Sequence, residues 1–134
     1  MIYPNLHARL VSHVNVHPAT GCWLWNCRAH GRGPFKYGRL NIRVQGTHRM
    51  VAAHRAMLVL QECGADVAIP LFWRVYEAYS VAGFEADHHE SCTSCLCINA
   101  QHLQWLPRAE HLAITRARGQ GIYLRNGLHQ RLAA

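Results

Sequence analysis

Between Asp87 and His111, within 25 residues, the chain carries an Asp-His-His-Glu run, three cysteines and two further histidines. Cys92, Cys97 and His102 follow one another with four residues in each gap. Two thiolates and an imidazole at that spacing supply three of the four S and N donors that a tetrahedral Zn²⁺ takes. The fourth donor is open among Cys22, Cys27, Cys63 and Cys95. Cys95 is the weakest choice, since it lies so near Cys97 that both reach one ion only through a strained loop. His88, His89 and His111 flank the triplet and add imidazoles, the side chain suited to proton transfer near neutral pH.

A chain of 134 residues, 50% apolar, is one domain of ordinary composition, with a core modest enough for a structural metal to matter. Its net charge of +7 is segregated. Residues 1–61 hold eight basic and no acidic residues, 62–90 hold six acidic residues against Arg74 alone, and 91–134 return to basic. Thirteen of the fourteen cations are arginine, suited to bidentate phosphate contacts, so two basic flanks around an acidic, His-rich centre point to a polyanionic partner. Six cysteines without a signal-peptide pattern read as metal ligands of a cytoplasmic protein rather than a disulfide framework, and no apolar run approaches a membrane span.

These residues need elements to position them. Leu6, Leu10 and Val14 predict a short amphipathic helix over 5–14. Cys22-Trp23-Leu24-Trp25 is strand-like, and Gly31, Gly33 and Pro34 mark a loop. From Tyr37, Leu40, Ile42 and Val44 alternate with Arg39, Asn41 and Arg43, which predicts a half-buried strand with a basic open face. Gln45-Gly46 punctuates, and Thr47 reads as the N-cap of a helix over about 48–63, ended by Gly64. A second helix spans about 71–82 and Gly83 closes it. Strand, loop and strand follow to Leu103-Gln104-Trp105. Pro107 then opens a helix to about Arg118, and 122–134 is a basic tail. His54 reads as a packed helix residue, and Trp23, Trp25 and Trp105 as core.

Asp-His, then Cys-x4-Cys-x-Asn-x2-His-Leu, then a ligand position nine residues beyond that His, resembles the ββα-metal (His-Me finger) nucleases. The likeness is to HNH endonucleases of the phage type and to the related His-Cys box homing endonucleases. Gly21-Cys22-Trp23-Leu24-Trp25, Tyr37-Gly38-Arg39 and Ala53-His54-Arg55 resemble the N-terminal half of phage-type HNH proteins. The resemblance covers about 21–60 and 86–119. It implies an α+β fold, a small zinc-stabilised ββα-metal domain preceded by an N-terminal β-hairpin and helix. Within one domain over 1–134, residues 21–60 would form the strand and helix half, 64–85 a helical insertion, 86–119 the ββα-metal core and 120–134 the tail.

The resemblance also implies roles. His88 is the general base, with His89 its rival, because this chain has Glu90 where the family usually has that histidine. Asp87 and His111 would hold a catalytic divalent ion, Mg²⁺ or Mn²⁺/Ni²⁺. Cys22 joins Cys92, Cys97 and His102 around structural Zn²⁺, and Asn99 braces the loop. Arg39, Arg43, Arg49 and Arg55 would face double-stranded DNA. The activity implied is metal-dependent endonuclease cleavage of DNA, by a monomer or a homodimer, in a bacterial or phage-infected cell. The competing reading is a non-catalytic, zinc-stabilised DNA-binding module.

Overall fold

The computed structural model describes residues 3–33, 35–89, 92 and 94–117. The chain opens with α1 (Leu6–Val11), whose Asn5 side chain accepts a hydrogen bond from the Ala8 N–H as an N-cap. This helix is shorter than expected: Ser12 caps it, and Val14 instead starts β1 (Val14–Val16), which pairs antiparallel with β2 (Trp23–Trp25). β3 (Ala29–His30) adds a short edge to β4 (Tyr37–Val44). Gly38 lets β4 press on Trp25, because a Cβ there would sit 2.5 Å from the indole Cδ1.

The largest departure from expectation follows. Residues 47–52 are not helical but form β5 (Thr47–Ala52), antiparallel to β4. Gln45 and Gly46 both have positive φ (49° and 83°), the backbone of a two-residue hairpin turn whose twist suits paired strands. The hairpin buries Val51 against Leu40 and leaves Arg39, Asn41, Arg43, His48 and Met50 on the opposite, open face. The helix, α2 (Ala53–Cys63), begins only after it.

α2 is the centre of the molecule. Ala53, Ala56, Met57, Val59 and Leu60 enter the main core with Leu10, Trp25, Ile42 and Phe72, while Leu58 packs with Ala86 and Leu103. Gly64 caps it with φ 100°. α3 (Ile69–Val81), with Pro70 in its first turn, lies against α2, and the Ala52 N–H donates to the Tyr76 hydroxyl at 2.9 Å. The 64–85 segment is therefore mostly one helix packed on the core.

The last unit is β6 (Phe84–His88), a loop, a 3₁₀ turn over Ala100–His102, β7 (Leu103–Pro107) and α4 (Arg108–Ala117). β6 and β7 are antiparallel, with Asp87 opposite Gln104, and α4 packs on both. Pro107 ends β7 rather than opening the helix. The 120–134 tail lies outside the described residues. The described residues thus form a small α+β fold of three short sheets, with the core gathered on α2. Among the described residues no helix is long and apolar enough to cross a membrane.

Candidate metal centre and adjoining histidine cluster

The β2 strand docks on the cysteine loop. Leu24 bridges Cys97, the Trp25 N–H donates to the Leu96 carbonyl at 3.0 Å, and the Ile98 N–H donates to the Trp23 carbonyl at 2.8 Å. This brings Cys22, just before β2, onto a loop 70 residues further along the chain. Asn99 ties the two: its Nδ2 donates to the Gly21 carbonyl at 2.9 Å, while its Oδ1 accepts from the Gln101 N–H.

Cys22, Cys92, Cys97 and His102 converge there, with all four ligand atoms within 4.8 Å of one another. Cys22 Sγ lies 3.7 Å from Cys92 Sγ and 3.6 Å from His102 Nδ1, and Cys97 Sγ lies 3.5 Å from the same nitrogen. Zn–S bonds of about 2.3 Å and a Zn–N bond of about 2.05 Å define a tetrahedron with S···S edges of ~3.8 Å and S···N edges of ~3.6 Å. The donor set fits a Zn²⁺ ion in type and in spacing. Cys22 and Cys97 are fully buried. The thiols also share charge: a hydrogen bond from Cys92 pushes Cys97 down toward thiolate, and the same contact pushes Cys92 up. Burial pulls His102 down, but its contacts with Cys22 and Cys97 leave it raised overall. A metal taking all four donors would release these protons.

The other cysteines stand apart. Cys95 contacts the Tyr37 side chain, Cys27 is exposed, and Cys63 packs against the core from the end of α2.

A second cluster lies beside the first. Glu85 and Asp87, two residues apart on β6, share the strand face that α4 covers, and His111 of α4 sits between them. Its Nδ1 is 2.5 Å from Glu85 Oε1, and its Nε2 is 3.3 Å from Asp87 Oδ1. Asp87 is 2% exposed, and its Oδ2 accepts from Gln104 Nε2 at 3.1 Å. Arg108 Nε donates to the other Glu85 oxygen at 3.0 Å. Both ring nitrogens of His111 thus face carboxylate oxygens, although a neutral imidazole carries one N–H. A cation held between Nε2 and Oδ1 would resolve that conflict.

His88, at the end of β6, contacts Cys97 through its main chain: His88 Nε2 lies 3.0 Å from the Cys97 carbonyl. Since a carbonyl only accepts, Nε2 is the protonated nitrogen and a neutral ring carries its lone pair on Nδ1. The ring stacks on His54 (centroids 5.2 Å, planes 13° apart), and His54 stacks on Tyr37 (5.1 Å, 28°). Burial lowers His88 below the ordinary histidine value, and it lowers the buried His54 as well. Burial, then contact with Cys95, holds Tyr37 as a phenol. His89 follows the strand, and its N–H donates to the His102 carbonyl at 2.8 Å.

The arginines separate into two groups. Arg39 and Arg43 lie on the open face of the hairpin, where Arg43 Nη2 is 3.1 Å from His48 Nε2. Arg49 lies on the other face with its guanidinium 5.4 Å from the Trp73 ring. Arg55, expected toward nucleic acid, is turned inward. It donates to the Phe84 carbonyl and the Ser80 hydroxyl, and it sits 5.0 Å from both the Tyr76 and Trp105 rings. Those contacts tie α2, α3, β6 and β7 together.

Sequence reasoning missed Glu85, Gln104 and the stacking role of His54. Glu85 had one signal, its i, i+2 relation to Asp87, which puts both on one strand face. Gln104 became visible only with the β6–β7 register. The chain was compared with protein-family models, curated proteins and solved structures, and none matches.

Proposed function

We propose that the chain is a metal-dependent endonuclease that hydrolyses phosphodiester bonds in double-stranded DNA. The observation that carries this reading is the oxygen–nitrogen pair Asp87 Oδ1 and His111 Nε2, 3.3 Å apart and adjoining an imidazole held by a backbone carbonyl. Two ligands at right angles on an octahedral ion, with bonds of about 2.1 Å, stand ~3.0 Å apart, so the spacing of the pair would suit one divalent cation. Asp87 and His111 would hold such a cation, which would supply Lewis acidity to phosphodiester hydrolysis.

The chain's own residues provide the rest. Nε2–H of His88 is engaged with the Cys97 carbonyl, so Nδ1 is the atom that takes the proton from an attacking water. Burial keeps that imidazole neutral at pH 7, the form a base requires. Glu85 accepts the Nδ1–H of His111 and thereby presents Nε2 as the ligand atom, the usual arrangement behind a metal-bound histidine. Gln104 fixes the second oxygen of Asp87. Zn²⁺ held by Cys22, Cys92, Cys97 and His102 would serve the fold, tying down the loop whose carbonyl orients His88. Arg39 and Arg43 on the open hairpin face suit contacts to the phosphate backbone, which orient a duplex without reading its sequence.

The test is conversion of supercoiled plasmid to nicked or linear form with Mg²⁺, Mn²⁺ or Ni²⁺, with loss of at least ~100-fold in rate on His88→Ala. Purified protein that shifts duplex DNA on a gel yet leaves plasmid intact with all three metals would overturn catalysis. That outcome would favour a zinc-stabilised DNA-binding module.

A further inference from the structure

α3 has two apolar faces, and only one of them meets the core. Phe72 and Tyr76 are buried on the inner face. On the outer face Leu71 is 47% exposed, Val75 is half-buried, and Ala78 and Ala82 are exposed. These four floor an open groove that Phe84 also lines. Their spacing of four, three and four residues makes them one stripe along the helix, about 16 Å long at the helical rise. A stripe on that spacing is the seam by which one helix packs on another.

The two sides of the groove carry opposite charge. Arg74 stands one residue before Val75, and Tyr79 one residue after Ala78, so each lies about 100° round the helix from the stripe, in opposite directions. The Tyr79 hydroxyl donates to the Glu62 carboxylate, which places Glu62 on the Tyr79 side. Tyr79 is held flat against Trp105, with centroids 4.1 Å apart and planes 7° from parallel, so that wall is fixed. Arg74 takes part in no ion pair among the described residues. With one positive wall, one negative wall and an apolar floor, the groove is complementary to itself.

A two-fold axis can lay two such stripes together in two ways. Antiparallel pairing sets like flank on like flank, Arg74 beside Arg74 and Glu62 beside Glu62. Parallel pairing sets each Arg74 against the Tyr79–Glu62 wall of the other copy, and does so twice. Parallel pairing also brings Leu71 onto Leu71 and Val75 onto Val75. Leucine and a β-branched residue then alternate along the seam, the combination that favours two parallel helices. Ala78 and Ala82 let the helices approach closely at the other end.

We propose that the outer face of α3 is a self-association surface: two copies of the chain pair α3 to α3, parallel about a two-fold axis, with Arg74 of each facing Tyr79 and Glu62 of the other. This stands whether or not the chain cuts DNA. Two helices of 13 residues make an interface at the small end of the specific range, so the dimer is weak, with a Kd on the order of 10–100 μM.

Sedimentation velocity of the full chain with zinc, from about 1 to 300 μM, should show monomer passing to dimer. Ala78→Glu sets like charges together at the centre of the seam from an exposed position, so it should keep the wild-type Tm and raise Kd at least ~30-fold. Arg74→Glu and Glu62→Arg should each raise Kd at least ~10-fold, and the double variant should return to within about threefold of wild type. Should Glu62→Arg not fold, Arg74→Glu alone decides, because it changes the sign of the facing pair only in the parallel arrangement. Wild type that stays monomeric over the whole range overturns the proposal and leaves the groove to a different partner. A dimer that Ala78→Glu leaves intact also overturns it, since the contact would lie on another face. A folded double variant as weak as the single ones, or a folded Arg74→Glu that dimerises like wild type, overturns the parallel pairing.

Discussion

With zinc bound, replacing Cys22 with alanine should cut a cross-link between distant parts of the chain. Cys22 is 70 residues from Cys92, and the other three ligands lie within eleven residues of each other. Only Cys22 makes the zinc site a closure of a long loop. Closing a loop of 70 residues removes about 4 kcal/mol of unfolded-chain entropy in the cross-link treatment used for disulfides. The buried side chain itself adds about 1 kcal/mol for lost sulfur contacts. In saturating zinc, Cys22→Ala should therefore lose about 5 kcal/mol, a fall in Tm on the order of 15–20 °C for a chain of this length. In a strong chelator only the packing part remains, about 1 kcal/mol. The difference between the two conditions is the contribution of Cys22 as a ligand, and by linkage zinc affinity should fall by at least the ~4 kcal/mol of loop closure, roughly a thousandfold. Denaturant titrations of wild type and variant, each with zinc and with chelator, give the four numbers. A competitive zinc titration gives the fifth. If Cys22→Ala costs the same with and without zinc, Cys22 is not a ligand and the reasoning fails. If Cys27→Ala reproduces the loss, the fourth ligand has been misassigned.

Three further expectations follow from the site. Glu85→Gln should keep the fold but weaken metal activation, moving the midpoint of a Mn²⁺ titration of cleavage by ~10- to 100-fold; an unmoved midpoint would deny Glu85 its hold on His111. Arg43→Ala should leave Tm unchanged and lower the salt dependence of DNA binding by about one phosphate contact, whereas Arg55→Ala should cost about 2 kcal/mol of stability through its lost hydrogen bonds and ring contacts. The opposite assignment of the two effects would reverse the division of the arginines. Buried His54 has a lowered folded-state value, so below about pH 6.5 the unfolded chain binds the extra proton and stability falls with pH, by up to ~1.4 kcal/mol per pH unit. His54→Phe lacks that group, and its stability should separate progressively above wild type from pH 6.5 to 5; parallel curves would show that His54 does not remain neutral.

Much of this was legible in the residues. The Cys92-Cys97-His102 spacing marked the metal loop, and the alternation from Tyr37 to Val44 gave β4, its buried face and its basic face. The helix over 48–63 misled because local signals there were balanced. Thr47 is a fair cap and Met50 falls at helical spacing from Met57, while Gln45-Gly46 is a weaker hairpin signal than Asn-Gly. Pairing with β4 and the burial of Val51 decided in favour of strand, a gain visible only in three dimensions. Arg55 was read as surface because charge in sequence ordinarily means solvent. Tyr76 and Trp105, which enclose it, come from elements 21 and 50 residues away. The pairing of Asp87 with Gln104 likewise depends on strand register, which composition does not encode. Spacing alone left the fourth ligand open among four cysteines; the family resemblance pointed to Cys22, and the docking of β2 on the loop brings Cys22 into the cluster.

Cys97 serves two sites at once: its sulfur lies in the Cys₃His cluster, and its carbonyl lies 3.0 Å from His88 Nε2. A side-chain substitution at this position removes the sulfur donor and keeps the carbonyl, so any effect on His88 has to pass through the backbone of this one residue. The same coupling makes the thiolate an antenna. With Co²⁺ in place of zinc, the visible absorption of the tetrahedral ion reports the geometry around Cys97, and any event that pulls on the His88 imidazole reaches that ion through a single residue. A colour change on adding DNA would be read from a metal that stands outside the proposed reaction.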